Sequence, residues 1–211
     1  MLHTNTVATE VLDLIKQLQG NESLRDFFLV GGTGLALQLG HRTSVDIDLF
    51  TRKDFNVEGL LQKLETEFHF QMDMIENNTI RGTIRDIKID LLAHKYPLLN
   101  PVKTTDGIRL SSVQDIAAMK INAISIDGTR VKDFIDVYFL LDMMSVKELL
   151  DCYSKKYSMR NPMHALKSMQ YFEDVDIADW PEMIKNKTLT WDRVKKKIDR
   201  SCDAFIQADQ P

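Results

Sequence analysis

Two aspartates stand two residues apart in Val45-Asp46-Ile47-Asp48-Leu49. The alternation of apolar and acidic residues has the period of a strand. Both carboxylates would then project from one face, while Val45, Ile47 and Leu49 turn to a core. Aspartate is a poor strand residue, and carboxylates held this close oppose each other's ionisation. A hard divalent cation removes that conflict, and Mg²⁺ takes one or two carboxylates together with substrate phosphates. A half-exposed strand with a polar face is the plain alternative. A third aspartate, Asp90, lies in the apolar run Ile87-Lys88-Ile89-Asp90-Leu91-Leu92. If the two strands are neighbours, Asp46, Asp48 and Asp90 form the clamp that holds two metal ions in phosphoryl and nucleotidyl transfer. One ion activates an attacking hydroxyl and the other holds a triphosphate. Taken alone, Asp90 reads equally well as a solvent-facing hairpin residue.

Gly31-Gly32-Thr33 follows the apolar run Phe27-Phe28-Leu29-Val30. Glycines let backbone N–H groups approach phosphate oxygens, and the helix N-terminus that follows favours anions. No Gly-Lys-Ser/Thr follows, so this is not a P-loop. Leu37 stands where a dinucleotide fingerprint needs its third glycine. By itself the segment is an ordinary strand-to-helix turn.

The elements that must position these residues can be read from periodicity. Leu12, Ile15 and Leu18 predict a helix over 6–19, closed by Gly20. Residues 27–30 predict a buried strand, 35–39 a short helix ended by Gly40, and 45–49 the acidic strand. Val57, Leu60, Leu61, Leu64 and Phe68 fall at helical spacing, and Phe70, Met72 and Met74 alternate. Asn77-Asn78 and Arg85-Asp86 suit hairpin turns around strands 79–84 and 87–92. Beyond this point helices dominate. Ser112 with Asp115 resembles a capping box that opens a helix to about Ser125. Residues 131–144 form the next helix, Ser145 with Glu148 caps another, Asn161-Pro162 starts one, and Thr190 caps the last. The class is α+β: a mixed α/β part over residues 1–104, then a helical part over 105–211.

Composition bounds the rest. The chain has 211 residues, 44% apolar and 27% charged, enough to bury a core and too apolar for a disordered chain. A formal net charge of -4 argues against a protein that simply coats nucleic acid or anionic membrane, but two Mg²⁺ would offset it in full. Cys152 and Cys202 match neither a disulfide scaffold nor a zinc site. The start of the chain lacks the pattern of a signal peptide, and no apolar stretch approaches the roughly 18–20 residues of a membrane span. A cytoplasmic protein with no membrane partner is expected. The methionines, Trp180 and Trp191 read as packing residues. Lys195-Lys196-Lys197 reads as a solvated helix face that, like Lys155-Lys156, could help to hold a polyanion.

Val30-Gly31-Gly32 followed by Asp46-Ile47-Asp48, with Asp90 as third acid, resembles the nucleotidyltransferase superfamily of DNA polymerase β type. The string from Gly31 to Phe50 is similar to one branch of it, the AbiEii/AbiGii toxin family of abortive-infection and toxin–antitoxin systems. Lys120-Ile121-Asn122-Ala123 and Arg130-Val131-Lys132-Asp133-Phe134-Ile135-Asp136-Val137 extend the resemblance, which covers about residues 25–145. It implies a nucleotidyltransferase-like mixed sheet with flanking helices and a C-terminal helical bundle. It implies transfer of a nucleoside monophosphate from an NTP to an acceptor hydroxyl, with RNA or tRNA as acceptor and an antitoxin as partner. The cofactor would be Mg²⁺ as two ions, with Mn²⁺ as an alternative, bound by Asp46, Asp48 and Asp90. Asp90 would also help to activate the acceptor. Gly31, Gly32, Thr33 and Lys120 would hold the triphosphate. Arg42 and Ser44 would touch phosphate, and Arg130 and Lys132 would pair with phosphate or acceptor. Asp133 would orient Lys120 or deprotonate the acceptor. The same core would also serve a small-molecule nucleotidyltransferase of the antibiotic-modifying kind, or a non-enzymatic nucleotide-binding regulator.

Overall fold

The computed structural model describes residues 1–208. Seven strands form one mixed sheet in the order β3-β4-β5-β2-β1-β7-β6. They are β1 Phe28–Leu29, β2 Ile47–Thr51, β3 Gln71–Glu76, β4 Thr79–Ile84, β5 Ile87–Ala93, β6 Lys103–Thr105 and β7 Ile108–Leu110. Helix α1 Thr9–Gly20 precedes the first strand, and α2 Gly31–Leu39 and α3 Val57–Phe68 lie between strands in the chain. Then come α4 Val113–Ile126, α5 Val131–Leu140, α6 Val146–Tyr157, α7 Met163–Met169 and α8 Trp191–Ala208. The expected α+β class is what forms. No described helix is long and apolar enough to cross a membrane.

The chain divides into two compact units, residues Met1–Tyr96 with Pro101–Ser111, and residues Pro97–Asn100 with Ser112–Pro211. The expected boundary after residue 104 falls inside the β6–β7 hairpin. The sequence reading passed over the signal for that hairpin, Asp106-Gly107 ahead of the alternating Ile108-Arg109-Leu110, because Lys103-Thr104-Thr105 is polar and both strands are only three residues long.

In the first unit one face of the sheet makes the core. Leu29, Ile47, Leu49, Ile89 and Leu91 are fully buried, and Leu14, Leu18 and Leu64 from α1 and α3 pack in the same cluster. The strands β3, β4 and β5 form a meander. Its turns fall where the sequence placed them, with Asn78 at φ 58° and Arg85 and Asp86 at φ 51° and 64°. Asn and Asp accept these left-handed values at low cost. Asparagine 56 caps α3 by accepting the Gly59 N–H.

One expectation about the acidic segment is corrected. Strand β2 starts at Ile47, not Val45, and Val45 is 57% exposed. The reason is its partners: β1 is only two residues long, and β5 joins in register from Ile47 opposite Ile89. On the β1 side the chain has already turned into α2 at Gly31, so no strand faces Val45–Asp46 there, although β5 itself reaches back to Ile87.

In the second unit α4 packs against α5, α6 and α7. Serine 112 caps α4 by accepting the Asp115 N–H. The Asp115 carboxylate does not complete a capping box but turns inward to Lys156. Ser145 and Glu148 do form the full reciprocal box at α6. Phe134 and Phe172, tilted against each other, both meet Trp191 edge-on, which gives Trp191 the packing role expected of it.

Candidate active site

Strands β2 and β5 run parallel, with Asp48 in register with Asp90. Ile47, Leu49, Ile89 and Leu91 point into the core, so the period of two sends Asp48 and Asp90 together to the opposite face. Both are half-buried. Asp46 lies just before the strand and is held by its main chain, since the Thr33 hydroxyl donates to the Asp46 carbonyl. Thr33 also bonds the Ser44 hydroxyl at 2.9 Å, and it is fully buried. Its side chain is therefore a tie between the glycine turn and the acidic segment, not a group presented to a phosphate.

The glycine turn is shaped around Asp48. Gly31 has φ +64°, and a Cβ there would lie 1.9 Å from Asp48 Oδ2. Only a residue without a side chain lets that carboxylate rest against the backbone. A Cβ on Gly32 would lie 2.6 Å from Arg42 Nη2 and 3.3 Å from Ser44 Oγ. Arg42 is almost fully buried and donates from Nη1 to the Thr43 carbonyl at 2.9 Å. It thus places a fixed positive charge against the start of α2. The first helical bond of α2 runs from Gly34 N–H to the Val30 carbonyl at 3.0 Å. The N–H groups of Gly31, Gly32 and Thr33 precede it and have no acceptor inside the helix. Donors without helical acceptors, the helix dipole and a buried guanidinium all favour an anion here.

The three aspartates share one neighbourhood without converging on one point. Among the described residues no group of three His, Cys, Asp or Glu side chains is placed to hold a metal ion. Like charges keep apart when no cation joins them, and Asp90 is engaged by Arg81, whose Nε lies 3.3 Å from Asp90 Oδ2. Arg81 escaped the sequence reading, although a signal was there. A two-residue turn at Arg85–Asp86 pairs residues equidistant from it, and these include Arg81 and Asp90.

The second block of expected residues lies in the second unit. Lys120 Nζ sits 2.6 Å from Asp133 Oδ1 and 2.7 Å from Asp136 Oδ2. All three side chains are buried. Asp133 and Asp136 meet the same lysine because they are three apart on α5. Asp136, given no role in the sequence reading, is thus a full member of the cluster. Asp133 Oδ2 is buried with no hydrogen bond, and the exposed Arg130 approaches it only to 3.8 Å. Lys132 pairs instead with Asp179 at 2.6 Å. In the two basic runs Lys155 and Lys196 are exposed, but Lys156 and Lys197 are engaged. Lys156 is buried against Asp115 and is closed to any polyanion, and Lys197 is held by Asp142 and the Tyr138 carbonyl.

The family model described as the nucleotidyl transferase AbiEii toxin of type IV toxin–antitoxin systems matches residues 14–100 and 72–205. A curated but uncharacterised protein of Aquifex aeolicus is 32% identical over 188 residues, which cover 86% of this chain and 89% of that one. Among solved structures, JHP933 from Helicobacter pylori aligns with a TM-score of 0.57 at 18% identity, over 98% of this chain and 92% of that one. MenT4, a nucleotidyltransferase toxin from Mycobacterium tuberculosis, aligns with a TM-score of 0.54 at 14% identity, over 97% and 87%. At such identities these two likenesses speak for the fold, whereas the family match spans most of the chain. This protein therefore belongs to the AbiEii nucleotidyltransferase toxin family.

Proposed function

We propose that the protein transfers a nucleoside monophosphate from an NTP to a hydroxyl of an RNA acceptor, releasing pyrophosphate, and that this reaction is its toxic activity. The observation that carries the reading is Asp48 in register with Asp90, beside a glycine turn whose N–H groups lack helical acceptors. The donor set suits Mg²⁺, which takes one or two carboxylates plus phosphate oxygens. Asp48, lying in the space left by the absent Gly31 side chain, and Asp46 would hold it, with Asp90 joining them. When bound, the ion supplies Lewis-acid stabilisation of charge on the reacting phosphate and acidifies the attacking hydroxyl.

The chain's own residues do the rest. The N–H groups at the start of α2 bind the triphosphate, and buried Arg42 adds a positive charge that needs no reorganisation. Thr33 and Ser44 fix the distance between that phosphate site and the carboxylates. Asp90 accepts the proton of the acceptor hydroxyl, with Arg81 holding its carboxylate in place. In the second unit Lys120, Asp133 and Asp136 form a charged cluster in which each carboxylate fixes the ammonium of Lys120. An antitoxin is the expected partner, as for other members of a toxin family.

Incubating the protein with α-labelled NTPs and total RNA, with and without Mg²⁺, tests the reading. Metal-dependent label on RNA is expected. Label on a small molecule alone would move the acceptor to another class, and no label transfer in any fraction would overturn the enzyme reading. Gly31→Ala gives a sharper check of the turn. A side chain at φ +64° costs about 1–3 kcal/mol, and the new methyl group displaces Asp48. A misplacement of about 1 Å lowers turnover by roughly 100-fold. Turnover and the thermal midpoint measured together should show both losses.

A further inference from the structure

A second cluster of charge lies in the first unit, away from the aspartates. A cavity of about 350 Å³ opens where β1 begins and β2 ends, lined by Arg25, Arg52, Lys53 and Arg109 and by one carboxylate, Asp26. Four cations against one anion is a strong local excess in a chain of net charge -4. Such a concavity focuses its field on anions.

Arg109 is the built part of the site. Its guanidinium donates to three main-chain carbonyls, those of Phe27 at 3.0 Å, Gln19 at 2.8 Å and Leu24 at 3.0 Å. Its main chain is clamped by the Gln19 amide in both directions. No carboxylate forms an ion pair with it among the described residues, so its charge is met by carbonyl dipoles alone. Burial pulls its pKa below the usual arginine value, and nearby Asp26 partly opposes this. The other cations are available. Arg52 is exposed and has no ion pair among the described residues. Arg25 pairs with Glu22 at 2.6 Å and Lys53 with Asp26 at 2.8 Å, but these are open surface pairs. Surface pairs hold by about 1 kcal/mol or less, so a phosphate can displace them.

We propose that this cavity is a phosphate-binding site separate from the aspartate site, taking either a backbone phosphate of single-stranded RNA or the phosphate of a free nucleotide. Arginine forks match phosphate oxygens geometrically. Along β2 the cavity begins three residues beyond Asp48, roughly 10 Å away. A triphosphate seated on the glycine turn would not fill it. In the RNA case the site holds the strand at a distance from its reacting end.

The test uses the full chain in EDTA, which suppresses metal-dependent nucleotide binding at the aspartates. The probes are a short fluorescent oligouridylate and AMP. The double variant Arg52→Glu/Lys53→Glu changes only exposed side chains, and circular dichroism confirms its fold. It should bind one probe at least about tenfold more weakly, with a flatter salt dependence. Loss confined to the oligouridylate identifies the RNA backbone, and loss for AMP identifies the free nucleotide. Asp48→Ala should keep wild-type binding to both while it abolishes transfer, which separates this site from the transfer reaction. Equal binding by the double variant and the wild type, or no binding of either probe by the wild type, would overturn the proposal.

Discussion

Asp48→Asn should reduce nucleotidyl transfer by at least about 1,000-fold and leave the thermal midpoint nearly unchanged. The substitution keeps shape and removes one anionic oxygen donor. Metal stabilisation of transition-state charge is worth several kcal/mol, and about 4 kcal/mol corresponds to three orders of magnitude in rate. Stability should hold because Asp48 faces away from the core built by Ile47 and Leu49, and the Asp48 carbonyl still receives the Val30 N–H at 2.9 Å. Asp46→Asn should fall by a similar factor, and the double variant should lose little more, since groups that act as one unit are not additive. Single-turnover label transfer, read beside a melting curve, gives both numbers. Activity within tenfold of wild type for Asp48→Asn would place the reaction elsewhere in the molecule.

The parts of the site that could be read beforehand are those where local geometry decides the outcome. Alternation placed Asp48 and Asp90 on strands, and the turn residues Asn78, Arg85 and Asp86 took the left-handed values that set the meander's register. What stayed hidden depends on which strand becomes whose neighbour. Asp46 has no partner on the β1 side because β1 ends at Leu29, a length that the apolar run from Phe27 to Val30 does not show. The parallel register of Asp48 with Asp90 comes from pairing across a long stretch of sequence. The role of Thr33 was missed because a hydroxyl after two glycines suggests phosphate, whereas here it serves the main chain of Asp46. Lys156 shows the opposite error. It follows Leu149 and Tyr153 on the buried stripe of α6, so helical periodicity already separated it from Lys155. The Lys-Lys pair suggested a shared solvated role.

Lys156→Met should destabilise the second unit by about 3–5 kcal/mol, the cost of leaving a buried charge without its partner. Lys156 Nζ lies 2.8 Å from Asp115 Oδ1 and 3.1 Å from the Pro97 carbonyl, and both side chains are essentially inaccessible. The Asp115 carboxylate also accepts the N–H of Leu99 and of Asn100 and the Ser112 hydroxyl. One ion pair thus organises α4, α6 and the segment Pro97–Asn100, all within the same unit. Lys156→Met/Asp115→Asn should recover part of the loss, because no charge is then left buried, although the amide accepts fewer bonds than the carboxylate. The pair also sets an acid limit. Burial pushes the Asp115 carboxyl up, but the hydrogen bonds from Lys156, Ser112 and Leu99 outweigh it and hold the pKa below the ordinary carboxylate value. A group with a depressed folded pKa gives stability that is complete above its unfolded pKa, near 3.9, and is lost as pH falls through the folded value. Wild-type stability should therefore decline below about pH 4, and the double variant should decline less over that range. Urea midpoints at pH 7, 5 and 3 would show this as two curves that converge toward acid. Parallel curves, or a Lys156→Met midpoint close to wild type at pH 7, would mean that the carbonyl and amide bonds around Pro97–Asn100 hold the unit without the charges.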